Sequence, residues 1–446
     1  MERLPLFEKK IIKKISEQRL DAIIQALSAQ LEREQNPGFM TGLAGQAILL
    51  YSYGRSFGIS RCENLGFLAL ERALTMVNNG FSIPSFAAGI AGIRFSLKYL
   101  SLRGYISESD GSALDELGPY LDKFAEQRFA IGDYDLLHGA LGMYLHEQRY
   151  PQEDAEIAPN DLVIPAKAQP EAGTPSLTTN SAMGTPSLTT NAATGTPSLT
   201  TNAAMGTPSL TTILNNLAIV PSPGYRAWQA RHPQTGTPEI NLGLAHGIPS
   251  VLWMLSRQPQ SYIRDNLLSC GVDYLLSCRM NDTSNGSLFP HRIMDGVPDQ
   301  PGRLAWCYGD PGIGAALWQI GLSSNRPDWQ ADAIGILHKA ASRREMEPNR
   351  VMDACICHGT AGLALIFYKM ALLTGHEELL EAAEYWTHAT LDHGQKSDGA
   401  AGYEFLTTGD RFVPSYSLLE GITGVGLTLL ALLDADTMGW EQGLLL

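Results

Sequence analysis

Residues 359–373 read GTAGLALIFYKMALL: two glycines three apart, then an apolar run broken by a single lysine. A helix that is apolar on nearly every side has no solvated face and must be surrounded by other elements. The same arrangement, Gly-x-x-Gly ahead of an apolar helix, opens at Gly42, Gly89, Gly139, Gly309 and Gly421. A further copy at Gly247 has Ser250 in place of the second glycine. Recurrence at this period marks a repeat architecture. Successive first glycines lie 47, 50, 108, 62, 50 and 62 residues apart, so every interval can hold a helix pair and one is doubled.

Between the glycine runs lie charged amphipathic segments, such as SRCENLGFLALERALTMV (60–77) and LLEAAEYWTHATLDHG (379–394). Residues 6–35 form another, with Ile11, Ile12, Ile15, Leu20, Ile23, Ile24, Leu27 and Leu31 at helical spacing and Asn36-Pro37-Gly38 as the break. Strand signals are scarce. The alternation is an exposed outer helix, a loop, then a small-residue inner helix. Seven such pairs form either an open solenoid or a closed ring. Closure covers the inner helices and gathers their glycine-rich N-termini at one end. There the turns permit close backbone approach and the helix dipoles favour thiolate and carboxylate.

The doubled interval has its own reading. A unit GTPSLTTN plus three residues repeats from Gly173, Gly184, Gly195 and Gly206, and the last copy runs into Thr211, Thr212 and Ile213. With one leucine per unit, a proline and no charge, it cannot bury a core, which predicts a disordered stretch over 173–212 inside an insertion at 147–235. A duplication tolerated in a surface loop and a peptide-binding arm both fit it.

The bulk properties narrow the function. A net charge of −14 excludes a general nucleic-acid binder and permits a basic peptide partner. The start, MERLPLFEKKIIKKISEQ, has no apolar h-region, and no apolar stretch reaches membrane-spanning length, which predicts no secretory signal and no transmembrane helix. Six cysteines in no dense framework suit a reducing cytoplasm.

Cys307 precedes Gly309 in RLAWCYGDPG, and Cys357-His358 precede Gly359. Together they are a Cys₂His set at equivalent turns of neighbouring repeats. Three protein ligands commonly mean a catalytic zinc with its fourth position open, though small buried cysteines packing the glycine turns would look the same. Cys355, two residues before Cys357, is an alternative ligand. His246 stands before Gly247 as His358 stands before Gly359. Asp135 lies just ahead of Gly139, where His138 competes with it for the same role. Arg303 and Tyr308 flank Cys307 as a charge-assisted donor and a proton-bearing phenol.

WCYGDPG, CHGTAG, AHGIPS and YDLLHGALG together resemble the lanthionine synthetase C-like cyclases, as do FPHR (289–292) and SLLEGITGVGLTLLALLD (417–434). The resemblance covers essentially the whole chain apart from the repeat insert. It implies an (α/α)₇ toroid of seven outer and seven inner helices, one catalytic domain over 1–446 interrupted by the insertion. It implies Zn²⁺ held by Cys307, Cys357 and His358, with His246 and Asp135 assisting and Arg303 and Tyr308 lining the site. The implied reaction is addition of a peptide cysteine to dehydroalanine or dehydrobutyrine in a dehydrated precursor peptide, with a dehydratase and an exporter as further partners. Two departures stand out: Ser250 replaces the glycine usual after His246, and the region where such cyclases carry a peptide-binding extension includes the low-complexity repeat. The alternatives are addition of glutathione or another free thiol to dehydrated residues in proteins, and a zinc-stabilised scaffold without catalysis. A third, an α/α-toroid glycosidase, would draw on Asp135 and Asp310.

Overall fold

The computed structural model describes residues 10–145, 208–231, 235–281, 283–407 and 409–446. In chain order its α-helices begin with α1 (Lys10–Gln30), α2 (Leu43–Phe57), α3 (Ser60–Asn78), α4 (Ile90–Leu102) and the single turn α5 (Glu108–Gly111). Next come α6 (Gly118–Ala130), α7 (Ala140–Tyr144), α8 (Leu210–Leu217), α9 (Ile248–Ser256) and α10 (Tyr262–Ser277). The last are α11 (Asp310–Ser323), α12 (Pro327–Ala341), α13 (Thr360–Thr374), α14 (Glu377–His393) and α15 (Ile422–Leu433).

Among the described residues, each of the seven Gly-led runs starts an inner helix: α2, α4, α7, α9, α11, α13 and α15. These pack side to side in chain order, and α15 returns to pack on α2, so the ring is closed rather than a solenoid. The amphipathic helices α1, α3, α6, α8, α10, α12 and α14 form the outer belt of this α/α toroid. The first outer helix, α1, packs on the last inner one, α15, and so joins the two ends of the chain. Burial follows the apolar periodicity. In α1 and the turn that follows it the stripe Leu20, Ile23, Leu27 and Leu31 is sealed, whereas Ile15, expected on the same stripe, is 41% exposed. In α15 every residue from Ile422 to Leu432 is buried. Each fully buried leucine or isoleucine stabilises by roughly 1.5–3 kcal/mol over exposure.

The glycines are required by contact. A Cβ on Gly362 would lie 1.9 Å from the carbonyl oxygen of Ile356, and one on Gly42 would lie 1.8 Å from that of Asn36. The turn folds back so tightly that no side chain fits there. Ser250, where the second glycine is missing, is fully buried, and its Oγ donates to the Gly247 carbonyl at 2.8 Å.

The repeat copies beginning at Gly173, Gly184 and Gly195 lie outside the described residues, as do residue 146, 147–207 of the expected insertion, residues 232–234 and the start of the last copy at Gly206. The end of that copy corrects the expected boundary: Ser209 caps α8, its Oγ accepting from the Thr212 amide at 3.3 Å. The reason is the apolar spacing Leu210, Ile213, Leu214, Leu217, of which Leu210 and Leu214 are buried. Trp228 locks α8 in place, donating from Nε1 to the Leu214 carbonyl at 2.8 Å, while the Tyr134 hydroxyl donates to the Trp228 carbonyl at 2.8 Å.

The few strands are short and antiparallel. β1 (Ala218–Ile219) pairs with β2 (Ala227–Trp228). A four-stranded sheet follows the order β3 (Ala230–Arg231), β4 (Pro238–Asn241), β5 (Arg292–Met294), β6 (Val297–Pro298), with Ile240 opposite Ile293 and Asn241 opposite Arg292. β7 (Phe405–Leu406) pairs with β8 (Phe412–Val413). The four-stranded sheet leads directly into the turn before α9 and sets residues 289–292 beside it. Residues 440–446 fold back into the ring: Trp440, Leu444, Leu445 and Leu446 are buried, and the Trp306 Nε1 donates to the Leu444 carbonyl at 2.8 Å.

Candidate metal and acid–base centre

The seven turns that enter the inner helices are stitched to one another by backbone hydrogen bonds, always through the residue two before the glycine. Met40 donates to Ala87 at 2.9 Å, and Ala87 to Leu137 at 2.9 Å. Ala245 donates to Cys307 at 3.4 Å, Cys307 to Cys357 at 3.2 Å, Cys357 to Leu419 at 3.1 Å, and Leu419 to Met40 at 2.9 Å. Cys307 and Cys357 therefore occupy the same rung position on adjacent turns, with their backbones bonded directly. Among the described residues the ladder breaks once, between Leu137 and Ala245. There the link is made by side chains: His246 Nδ1 and Asp135 Oδ2 share a short hydrogen bond.

The sulfurs of Cys307 and Cys357 and a ring nitrogen of His358 all lie within 4.8 Å of one another. A hydrogen bond joins the two thiols and drives them in opposite directions. The hydrogen bond from Cys357 holds the Cys307 thiol well down against burial, helped by His358 and the charge of Arg303. The same hydrogen bond, then burial, pushes the Cys357 thiol well up. The cysteines are buried and His358 is half-buried. Cys355 is in a different place. Its sulfur accepts from the His358 amide at 3.4 Å, and burial followed by the Asp353 charge pushes its thiol well up. It does group with Asp353 and His358, but Asp353 is already occupied: its Oδ1 accepts from the Cys355 amide and its Oδ2 from the Leu406 amide, each at 2.9 Å.

Asp135 is pinned from behind. Its Oδ1 accepts from the amides of Leu137 and His138 at 2.8 and 2.7 Å, leaving Oδ2 for His246. Burial pushes the Asp135 carboxyl up, but the His246 hydrogen bond and charge and the His138 amide outweigh it, so its pKa is lowered. Burial likewise depresses His246, and the Asp135 hydrogen bond and charge overcome it, so the imidazole holds its proton more tightly than usual. His138, the competitor for Asp135, contributes its amide while its side chain is exposed.

Tyr308 stacks on His246, with ring centroids 5.3 Å apart, and also meets His291 at 5.4 Å. Its hydroxyl accepts from Asn241 Nδ2 at 3.4 Å, and burial pushes the phenol up to about 12, so it keeps its proton. Arg303 is half-buried one turn behind Cys307, with its Nε buried and without a hydrogen-bond partner. Asp310 is not at the centre. It is fully buried, accepting from Arg343 Nη1 at 2.7 Å and from the Leu288 and Phe289 amides at 3.0 and 3.2 Å. Its carboxylate therefore braces a loop, which removes it from any carboxylate pair.

Three features carried no role in the sequence reading. His291, inside the FPHR motif, accepts at Nε2 from the Arg303 amide at 3.3 Å and contacts Arg350 Nη2 at 3.2 Å. Burial, then Arg350, Arg303 and Arg292, push it down to about 4, so it is a neutral acceptor. Asn36, Asp133, Asn241 and Asp353, each six residues before a first glycine, all accept at Oδ1 from the amide two residues on. That Asx spacing is legible in the chain. Glu420 takes the place before Gly421 that His246, Tyr308 and His358 take before theirs, and its charge acts on Cys355 and Cys357.

A family model described as lanthionine synthetase C-like protein matches residues 210–445, just over half of the chain. The fold is similar to that of a solved nisin cyclase, with a TM-score of 0.66 at 17% identity over 96% of this chain and 97% of that one. Among the described residues no helix is long and apolar enough to cross a membrane.

Proposed function

We propose, from the premise that this chain belongs to the lanthionine synthetase C-like family, that it is a zinc-dependent cyclase closing thioether rings in a dehydrated peptide. A cysteine thiol of the peptide adds to the β-carbon of dehydroalanine or dehydrobutyrine, giving lanthionine or methyllanthionine. One observation carries the reading: a Cys₂His cluster and an Asp–His couple lie on the same ladder of turns, bridged by Tyr308, which follows Cys307 and stacks on His246.

The donor set suits zinc: two sulfurs and an imidazole within 4.8 Å, on rungs whose backbones are bonded to each other. Cys307, Cys357 and His358 would hold the ion, which when bound supplies acidification of a substrate thiol. The rest falls to the protein. Addition of the sulfur leaves an enolate whose α-carbon needs a proton. His246 is poised to give it, because Asp135 fixes the ring through Nδ1 and raises its hold on the proton. Tyr308 fixes the plane of that ring, and the unpaired Arg303 favours the negative charge that develops nearby. We place the chemistry in the cytoplasm, where free cysteines stay reduced. The whole chain acts as one toroid interrupted by the 147–235 insertion, receiving peptide from a dehydratase and passing product to an exporter.

The test is a dehydrated peptide with free cysteines, incubated with the protein and then treated with a thiol-alkylating reagent before mass spectrometry. Alkylatable thiol should vanish at unchanged peptide mass with zinc-loaded protein, and persist with chelator or with Cys357→Ala. Thiol loss that needs added glutathione and raises the peptide mass would assign intermolecular addition instead. Unaltered cyclisation by Cys357→Ala would defeat the reading.

A further inference from the structure

We propose that His338, His376 and Glu378 form a second metal site on the outer belt, for a divalent ion of the Zn²⁺, Ni²⁺ or Cu²⁺ class. It shares no residue with the cysteine cluster and does not depend on the reaction proposed above. His338 lies in the last turn of α12, His376 is the N-cap of α14, and Glu378 stands in the first turn of α14. Thus two neighbouring outer helices would be tied by one ion.

The geometry points to coordination. His338 Nε2 and His376 Nδ1 lie 3.1 Å apart. Zinc–nitrogen bonds of about 2.0–2.1 Å place two nitrogens on adjacent positions of one ion roughly 3–3.4 Å apart. The observed gap falls within the spacing that two nitrogens on one ion require. Glu378 Oε2 is 4.0 Å from His338 Nε2, and the three donor atoms all lie within 4.8 Å of one another. The carboxylate belongs to a side chain 66% exposed, so it can close the last ångström by a rotamer change.

Charge and access agree. His338 is 35% exposed, so an ion can enter from solvent and keep water on its outer side. The C-terminal end of α12 offers the negative end of its dipole, while the positive end of α14 is offset by Glu377 and Glu378 in its first turn. Two imidazoles select the borderline ions over Ca²⁺ and Mg²⁺, which take oxygen ligands. The competing account of the same contact is a simple N–H···N hydrogen bond between neutral rings. The two accounts separate on metal stoichiometry.

Full-length protein stripped with chelator is titrated with Zn²⁺, and separately with Ni²⁺, by equilibrium dialysis with elemental analysis. Two zinc equivalents are expected for the unaltered chain, one weaker than the other. The double variant His338→Ala/His376→Ala should lose the weaker equivalent and keep the tighter one. Cys357→Ala should retain the weaker one. Glu378→Gln, a substitution at the surface, should weaken that equivalent by about tenfold. A Co²⁺ titration adds a spectroscopic check: the weaker site should develop d–d absorption without thiolate charge-transfer bands. The same stoichiometry and affinity in the unaltered chain and the double His variant would overturn the proposal, as would thiolate bands on every equivalent of cobalt.

Discussion

His246 is held between two demands, since burial drives its proton off and Asp135 holds it on. The second prevails because Asp135 is itself a committed anion, fixed by two backbone amides and unable to turn away. A raised pKa means that the acid form is fully present at low pH and is lost as pH rises through that raised value. Catalysis that uses the His246 proton should therefore fall on the alkaline side. Asp135→Asn removes the charge that raises the imidazole, so the alkaline limb of the rate profile should move to lower pH. His246→Ala should lower the turnover number by about 10²- to 10⁴-fold while the protein still binds zinc. The rate–pH profiles of the three proteins decide the matter. An alkaline limb that stays put in Asp135→Asn would remove His246 as the proton donor.

Between residues and ring lies the element, and here Asp310 joins three of them. It opens α11, receives Arg343 from just beyond the end of α12, and binds the amides of the loop that carries His291. Asp310→Ala leaves a guanidinium buried without its counter-charge, which costs about 3–5 kcal/mol. The urea midpoint should fall accordingly, and Asp310→Asn, which keeps an acceptor, should fall less. A midpoint within error of the unaltered chain would show that Arg343 finds another partner in Asn349, which it already meets at 2.8 Å. The same element shows what a sequence can and cannot disclose. The glycine turns and the Cys and Cys-His motifs were legible because a turn and the side chains it carries are written within a few consecutive residues. The Asx braces were equally local and were overlooked. Asp310 was available as a catalytic carboxylate only under the glycosidase alternative, and its partners, up to 33 residues away in Arg343, take it out of that role. Trp306 could not be read at all as the strut behind Cys307, since its partner Leu444 lies 138 residues on. The boundary of the insertion failed for a different reason: the last repeat copy is shared between low-complexity sequence and the start of α8.

At the scale of the whole molecule the ring is continuous in its packing but not in its backbone hydrogen bonds. Five turn-to-turn bonds between 2.9 and 3.2 Å span most of the mouth, the Ala245–Cys307 bond is longer at 3.4 Å, and none joins Leu137 to Ala245. That junction also falls in the longest sequence interval between first glycines, the 108 residues from Gly139 to Gly247. The Asp135–His246 pair thus sits on a seam, and the couple proposed to move a proton also clasps two neighbouring turns. A clasp made of two side chains opens more easily than a rung made of backbone, because it breaks without disturbing either turn. Native-state hydrogen exchange should therefore show two classes of turn. Amides of 303–309, 353–359 and 416–421 should exchange slowly. Those of 134–142 and 241–249 should exchange faster, and faster still in Asp135→Asn, with the slow class unchanged. If all turns exchange at one rate, the ring opens only as a unit and the seam has no mechanical meaning. If the difference holds, the place where the toroid loosens most readily is also where the Asp135–His246 couple stands, which suits the peptide cyclisation proposed above.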